Sequence, residues 1–305
     1  MAVAKLIDGK VRAENIIEFI KKDSLNLQKE NNIKPGLAVL IVGEDPASHI
    51  YVRNKRLTAE SCEFYSIQHT LPDDTSEEIV LNLIHELNDN DKIHGILVQL
   101  PLPKHLNETL ITQAISPSKD VDGFHFMNVG KLNSGKTSDA YIPCTPAGCM
   151  MLIEDELGDD LSGMNAIVIG RSNIVGKPMA SLLLKANATV TIAHSKTKDL
   201  AKLSSKADII IVAVGYPNMV KANWIKPKAI IIDVGINRVG KIIDGEIKMG
   251  LTGDVDFNEA RNKASAITPV PGGVGPMTIA MLMSNTLSAA RLSAGLEKSY
   301  STKKI

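Results

Sequence analysis

Tyr51 and Lys55 stand four residues apart in Tyr51-Val-Arg-Asn-Lys-Arg-Leu-Thr-Ala59, a stretch that reads as helix, so their side chains leave one face about one turn apart. A phenol and an amine so placed can work as an acid–base pair. Gln99 lies near the end of the apolar run Gly95-Ile-Leu-Val-Gln-Leu100, just before Pro101-Leu-Pro103, and Asp122 follows in the turn Asp120-Val-Asp-Gly123. An amide in an otherwise apolar strand must find partners or cost about 1–3 kcal/mol. The four side chains can converge on one cleft. A plainer account also stands, with Tyr51 and Lys55 as an ordinary surface pair and Asp122 as a turn former beside Gly123.

A second constellation sits in Asn165-Ala-Ile-Val-Ile-Gly-Arg-Ser-Asn-Ile-Val-Gly-Lys-Pro178, where a β-branched run ends on Gly170 and a helix starts near Gly176. A strand, a tight turn and a helix N-terminus bind phosphate through exposed N–H groups and the positive end of the helix dipole. The dinucleotide fingerprint G-x-G-x-x-G is kept only in part, because Ser172 replaces the second Gly and Val175 precedes the last one. The next strand, Ala188-Thr-Val-Thr-Ile-Ala193, ends in His194-Ser195-Lys196-Thr197 without Asp or Glu. A carboxylate there would repel an additional phosphate. Its absence, with Arg171 in the turn and Ser195 at the strand end, suits a 2′-phosphate and favours NADP over NAD.

The elements that must position these groups follow from the apolar pattern. A chain of 305 residues is better divided into two α/β domains than one, and its apolar content suffices for two cores. Residues 11–30 predict an amphipathic helix, 37–42 a central parallel strand, 51–59 a helix, 65–69 a strand, 76–87 a helix, 95–100 a buried strand and 104–115 a short helix. Residues 127–142 are polar and contain Gly, which places a domain boundary there. Beyond it come a helix near 147–154, the nucleotide unit, strands at 208–214 and 229–234 closed by Gly215 and Gly235, a short helix at 257–263 and a long helix from Thr278 to about Ala294. Both glycines would let backbone approach a cofactor. Such alternation implies a parallel sheet with ligands outside the carboxyl ends of its strands.

Composition excludes several functions. The formal net charge is zero with no long basic block, so nothing electrostatic points to nucleic acid, and no segment has the apolar length of a membrane span. Charge comes too soon after Met1 for a signal peptide. Cys62, Cys144 and Cys149 are odd in number and lack C-x-x-C spacing, which argues for a reducing, cytoplasmic setting and against a metal site.

Tyr-x-x-x-Lys also occurs as the acid–base pair of short-chain dehydrogenases, but there it follows the nucleotide turn, whereas here it precedes that turn by more than a hundred residues. A different resemblance spans six motifs in order. Val42-Gly-Glu-Asp-Pro-Ala-Ser-His-Ile-Tyr-Val-Arg-Asn-Lys55, Gly95-Ile-Leu-Val-Gln-Leu-Pro-Leu-Pro103, Lys119-Asp-Val-Asp-Gly123, Pro143-Cys-Thr-Pro146, Gly170-Arg-Ser-Asn-Ile-Val-Gly-Lys-Pro178 and Thr268-Pro-Val-Pro-Gly-Gly-Val-Gly-Pro-Met-Thr278 together resemble the bifunctional methylenetetrahydrofolate dehydrogenase/cyclohydrolase family, in register from about residue 5 to 294.

The resemblance implies an N-terminal α/β catalytic domain at 1–142 that binds folate and is completed by a returning helix at 278–294. It also implies a Rossmann-like NADP-binding domain at 143–277 and a loose tail at 295–305. Within that family Tyr51 stacks on the folate rings, Lys55 is the key catalytic side chain, Gln99 positions it and Asp122 holds the pterin edge. Pro271, Gly272 and Gly273 join the substrate site, and Gly170, Arg171, Ser172, Ser195, Gly215, Ile236 and Thr278 line the cofactor. Tetrahydrofolate derivatives are the implied substrates, NADP the cofactor and a homodimer the implied assembly. The apolar helix residues Met277, Ile279, Ala280, Leu282 and Met283 suit packing on the first domain or on the second. Lys55 could move protons in hydrolysis provided burial lowers its pKa. A dehydrogenase without hydrolysis, or a folate- or NADP-binding regulator, are the competing functions.

Overall fold

Strands as apolar as 37–42 need cover on both faces, and the chain supplies it by alternating strands with helices. The computed structural model describes residues 3–243 and 246–299, with side chains throughout except at 46–49 and 241–248. In chain order the first elements are β1 (Lys5–Leu6), α1 (Gly9–Asn31), β2 (Gly36–Val42), α2 (Pro46–Ser61), β3 (Tyr65–Leu71), α3 (Glu77–Asp89), β4 (Gly95–Val98), α4 (Glu108–Ala114), α5 (Phe126–Asn133) and α6 (Cys144–Leu157). They are followed by β5 (Asn165–Ile169), α7 (Gly176–Lys185), β6 (Thr189–Ala193), α8 (Leu200–Ser204), β7 (Ile209–Val212), β8 (Ile230–Asp233), β9 (Asn237–Ile243), β10 (Glu246–Thr252), α9 (Phe257–Ala260), β11 (Ala266–Ile267) and α10 (Val274–Ser293). The chain forms two units, one of residues 14–144 and 279–305, the other of residues 1–13 and 145–278.

In the first unit a parallel sheet runs β3-β2-β4, with Leu40 paired to both His69 and Val98. The central strand β2 is buried at every residue, as its unbroken apolar sequence requires. Ala38, Leu40 and Ile96 pack with Ile84 of α3 and Ile111 of α4. Beyond β4, Ile96 makes a single parallel bridge to Asp120. The buried Asp120 carboxylate accepts from Phe124 N at 3.1 Å, His125 N at 2.8 Å and Asn128 Nδ2 at 2.8 Å, and so ties the turn carrying Asp122 to α5. Burial raises its pKa against these three donors. On α10, Asn285 Nδ2 donates to Val121 O at 2.8 Å and Ile142 O at 3.0 Å.

Three expectations change in this unit. The segment expected as a polar boundary contains α5, whose start is capped by His125 Nδ1 accepting from Met127 N. Its inward face carries Asn128, which bonds Asp120, Pro117 O and Tyr141 N, so apolar periodicity alone misses it. Strand β4 ends at Val98, leaving Gln99 just outside the ladder. The start of the supposed loose tail is held: Lys298 Nζ donates to Ala140 O at 2.7 Å and lies 5.1 Å from the Tyr141 ring centre, and Ser299 bonds Asp23. Residues 300–305 lie outside the described residues.

The other unit has a six-stranded sheet in the order β1-β11-β8-β7-β5-β6, parallel throughout. Strand β5 has β6 on one side and β7 on the other, so the order reverses at β5, where open α/β sheets take ligands. Ile167, Ile169, Ile210, Val212, Ile231 and Ile267 form its core. Here β1 is an edge strand paired with β11, so the first residues belong to this unit and not to a domain of 1–142. Two strand residues are too few for periodicity to reveal. Strands β9 and β10 form an antiparallel ribbon, and the Asp244-Gly245 dipeptide between them in sequence is a hairpin signal independent of apolar alternation. Helix α10 starts at Val274, a turn before Thr278, because Pro276 is tolerated where first-turn N–H groups have no helical partner. Met277 lies in this unit, and Ala280, Leu282 and Met283 are buried in the first.

Replacing Asp120 by Ala leaves three buried donors without their acceptor. Urea unfolding of Asp120→Ala is expected to show a loss of at least ~2 kcal/mol, and a loss below ~0.5 kcal/mol would refute this role.

Candidate active site

Helix α2 presents Tyr51 and Lys55 one turn apart, both half-buried. Gln99 follows β4 directly, and its N–H donates to Leu40 O at 2.8 Å, so the residue is anchored to the central strand. Its side chain accepts through Oε1 from Lys55 Nζ at 3.1 Å and donates through Nε2 to Leu100 O at 2.8 Å. The second bond settles which end of the amide faces the ammonium. Asp122 keeps part of its surface accessible, yet its carboxyl is enclosed enough for burial to push the pKa up to about 6, against the attraction of Lys55 and with help from Asp120. The structure thus gathers Lys55, Gln99 and Asp122, with Tyr51 on the same helix face.

Two neighbours carry no signal in spacing. Cys144 Sγ approaches Val121 O at 3.4 Å and Asp122 Oδ1 at 3.7 Å, and burial with the adjacent carboxylates drives its thiol pKa far up. It remains a protonated donor to Asp122. All three cysteines are buried and unpaired. Asn285 reaches the same place through Val121 O, and only the returning helix brings it there.

In the other unit, the carboxyl ends of β5 to β8 carry the expected cofactor residues. The pairing of Ile169 with Ala193 sets Arg171 and Ser195 two residues beyond adjacent strand ends, both exposed. The Ser195 turn is closed by Thr197 Oγ1, which accepts from His194 N at 2.9 Å. One expectation is corrected. Ser172 Oγ accepts from Val175 N at 3.1 Å and Gly176 N at 3.3 Å, and Ser172 O accepts from Lys177 N at 3.0 Å. The first-turn donors of α7 are therefore spent on Ser172, and Pro178 has none. Among the described residues, the N–H groups of residues 171–174 make no bond within the protein and are the ones open to an anion.

The turn needs its glycines. A Cβ on Gly176 would lie 2.3 Å from Gly170 O, and one on Gly170 2.3 Å from Ala213 O. Gly215 has φ +67° with nothing within 4 Å of where a Cβ would stand, which leaves its face open to a ligand. Gly235 is small for another reason than expected: a Cβ there would strike the Asp254 carboxylate at 2.3 Å. That carboxylate, wholly buried, accepts from Val214 N at 2.7 Å, Gly215 N at 2.9 Å and Asn237 Nδ2 at 2.8 Å. Asp233 in turn accepts from the N–H groups of Gly235, Asp254 and Val255, and burial pushes its pKa up to about 7. A carboxylate ending an all-isoleucine strand was the sequence signal for this pair. Ile236 is exposed beside it. Thr278 Oγ1 pairs with Thr145 Oγ1 at 2.9 Å. Pro271 is exposed, while Gly272 O accepts from Lys10 N at 2.9 Å and so fixes the backbone next to Gly273.

A half-buried ammonium is thus held by an amide beside a raised carboxylate, in a chain that also carries a glycine turn with open N–H groups. Residues 7–122 match the model of the tetrahydrofolate dehydrogenase/cyclohydrolase catalytic domain, and residues 143–294 match that of the NAD(P)-binding domain of the same enzymes. The chain belongs to the tetrahydrofolate dehydrogenase/cyclohydrolase family. It is 59% identical to Bifunctional protein FolD 1 of Mesorhizobium japonicum over 97% of this chain and 99% of that protein. Among solved structures it resembles the Campylobacter jejuni bifunctional enzyme FolD, with 47% identity, TM-score 0.88 and coverage of 95% and 99% of the two chains. It also resembles the Trypanosoma brucei methylenetetrahydrofolate dehydrogenase-cyclohydrolase complexed with NADP and an inhibitor, with 37% identity, TM-score 0.91 and coverage of 96% and 99%. The family's second model extends over α10, although from Ile279 onward this helix packs in the unit that carries Lys55.

In this family member the Gly170–Gly176 approach makes a definite demand. Gly176→Ala is expected to weaken NADP binding at least about tenfold in calorimetric titration and to cost ~1–3 kcal/mol of stability, whereas wild-type affinity would show that the turn tolerates a methyl group.

Proposed function

We propose that this chain oxidises methylenetetrahydrofolate to methenyltetrahydrofolate with NADP and then hydrolyses the product to formyltetrahydrofolate. The observation that carries the reading is the 3.1 Å bond from Lys55 to Gln99 beside Asp122, in a member of a family whose models and solved structures are named for both reactions. In the first reaction a hydride leaves the one-carbon bridge while a folate nitrogen lone pair stabilises the resulting cation, so no side-chain base is needed. NADP supplies the hydride acceptor when bound.

The residues of the nucleotide turn fit that cofactor. Open N–H groups at 171–174 suit a pyrophosphate, Gly215 admits close backbone approach, and Arg171 with Ser195 suits the 2′-phosphate. Gly170, Ser172, Ile236 and Thr278 complete that lining. The unit carrying Lys55 serves as the folate-binding catalytic domain, completed by α10 from Ile279, and the other as the NADP-binding domain.

In the second reaction water adds to the methenyl carbon and the ring opens, with protons moved between oxygen and the departing nitrogen. Lys55 is the group that moves them, and Gln99 aims its Nζ while leaving other N–H bonds for substrate. Tyr51 offers its ring to the pterin or aminobenzoate face from the same side of α2. Asp122 accepts from the N–H edge of the pterin in its ionised form, with Cys144 donating to it from behind. Pro271, Gly272 and Gly273 are proposed as further substrate contacts. A homodimer and a cytoplasmic location complete the reading. The first is supported by the unpaired edge of β6, where Ile192 is exposed, and the second by three buried thiols left unpaired. Among the described residues no helix is long and apolar enough to cross a membrane.

Separate assays of the two reactions test the assignment. Lys55→Met is expected to lower methenyl hydrolysis by about 10³-fold or more while hydride transfer stays within about tenfold of wild type; equal loss of both would remove Lys55 from its role. Asp122 has a second consequence. Its folded pKa lies above the ordinary carboxylate value, so the anion is present above about pH 6 and lost as pH falls through that value. KM for the folate should therefore rise below pH 6 in wild type, and in Asp122→Asn be high and flat across pH 5–8. A wild-type KM that does not change from pH 8 to 5 would contradict the binding role.

A further inference from the structure

The first unit contains a cavity of about 470 Å³ that none of Tyr51, Lys55, Gln99 and Asp122 lines. Its volume falls within the roughly 300–1,000 Å³ usual for small-molecule sites. Three of its polar side chains are more than nine-tenths buried: His94 is 8% exposed, Tyr141 5% and Asn128 2%, the last already bonded to Pro117 O, Asp120 and Tyr141 N. Gly36 N donates to His94 Nδ1 at 3.0 Å, which puts the imidazole proton on Nε2. Burial and the neighbouring Lys119 lower the His94 pKa, so the ring stays neutral and Nε2 remains a single N–H donor. Burial also pushes the Tyr141 pKa up to about 12, so its hydroxyl remains a donor as well.

Among the described residues, neither His94 Nε2 nor the Tyr141 hydroxyl has a protein partner, and neither atom is sealed off from the cavity that its residue lines. The half-buried Lys119 and Lys131 add positive charge to the same wall. Lys119 Nζ donates to Leu87 O and Asn90 O and Lys131 Nζ to Asp139 O, leaving each ammonium with N–H bonds to spare. Ile93, Pro117, Ala289 and Leu292 supply apolar surface. The two lining carboxylates, Asp91 and Asp139, belong to exposed residues and so mark the rim. The lining therefore offers the His94 and Tyr141 donors, two ammonium groups and hydrocarbon, with the Asp91 and Asp139 carboxylates at the rim.

We propose that this cavity is a second ligand site that binds a small organic carboxylate with an apolar body. The carboxylate accepts from His94 Nε2 and the Tyr141 hydroxyl, with Lys119 and Lys131 near enough to line the same space, and the body rests against Ile93, Ala289 and Leu292. An ammonium would meet the like charge of Lys119 and Lys131 and gain nothing from the His94 donor. Inorganic phosphate would meet the charge but leave the apolar wall uncovered.

The test titrates the full-length protein with sodium benzoate while NMR follows isotope-labelled histidine and tyrosine rings, with benzylamine and inorganic phosphate as comparison probes. Saturable shifts of the His94 and Tyr141 signals are expected with benzoate, and binding at least about tenfold weaker with either comparison probe. Tyr141→Phe deletes only the hydroxyl, and Leu292→Trp fills space beside an exposed residue without touching His94. Each should weaken benzoate at least about tenfold and leave NADP affinity unchanged. A benzoate response that never saturates, an equal response to benzylamine or phosphate, or full benzoate affinity in both variants overturns the proposal.

Discussion

The bond between Lys55 Nζ and Gln99 Oε1 is the constraint on which the proposed catalytic arrangement depends. A lysine side chain has many rotamers, and fixing one costs entropy that a single partner must offset. Gln99 can do so because its other polar groups are already committed. Its Nε2 is spent on Leu100 O and its backbone N–H on Leu40 O, so Oε1 has a fixed direction. The position is set in turn by β2, whose seven buried residues hold β4 on one side and β3 on the other. Asp122 is fixed from the opposite direction, by Asp120 below its turn and by Asn285 on Val121 O.

The nucleotide unit solves a similar problem with buried carboxylates. Open strand ends leave backbone N–H groups without partners, and here Asp254 and Asp233 collect those of Val214, Gly215, Gly235, Asp254 and Val255. The arrangement holds Gly215 open while closing the space at Gly235. Ser172 does the converse at β5: by capping α7 from within, it moves the free donors into residues 171–174. A serine in place of the second fingerprint glycine thus leaves the open N–H groups in the turn rather than at the start of α7.

Much of this could be read from residue order. The strands at 37–42, 209–212 and 230–232 are apolar without a break because both faces are covered; Gln99 stood out because an amide beside a buried strand needs partners, Tyr51 and Lys55 because they lie four apart on a helix, and Asp122 by the motif around its turn. Helix α5 was not, since it turns Asn128 inward and its order comes from Asp120 and Tyr141, contacts that no local period encodes. Strand β1 was hidden by its length of two residues. The roles of Cys144 and Asn285 depend on segments distant in sequence meeting Val121 or Asp122, which only tertiary structure specifies.

The central claim is that one lysine-centred site lets a single chain carry folate through both reactions. The most direct measurement mixes purified protein with methylenetetrahydrofolate and NADP and follows reduced NADP and methenyl absorbance together through the time course. Reduced NADP rising while methenyl absorbance stays low, with formyltetrahydrofolate as product, is the predicted result. Methenyl accumulating in step with reduced NADP, with no formyl product beyond the uncatalysed rate, would contradict it.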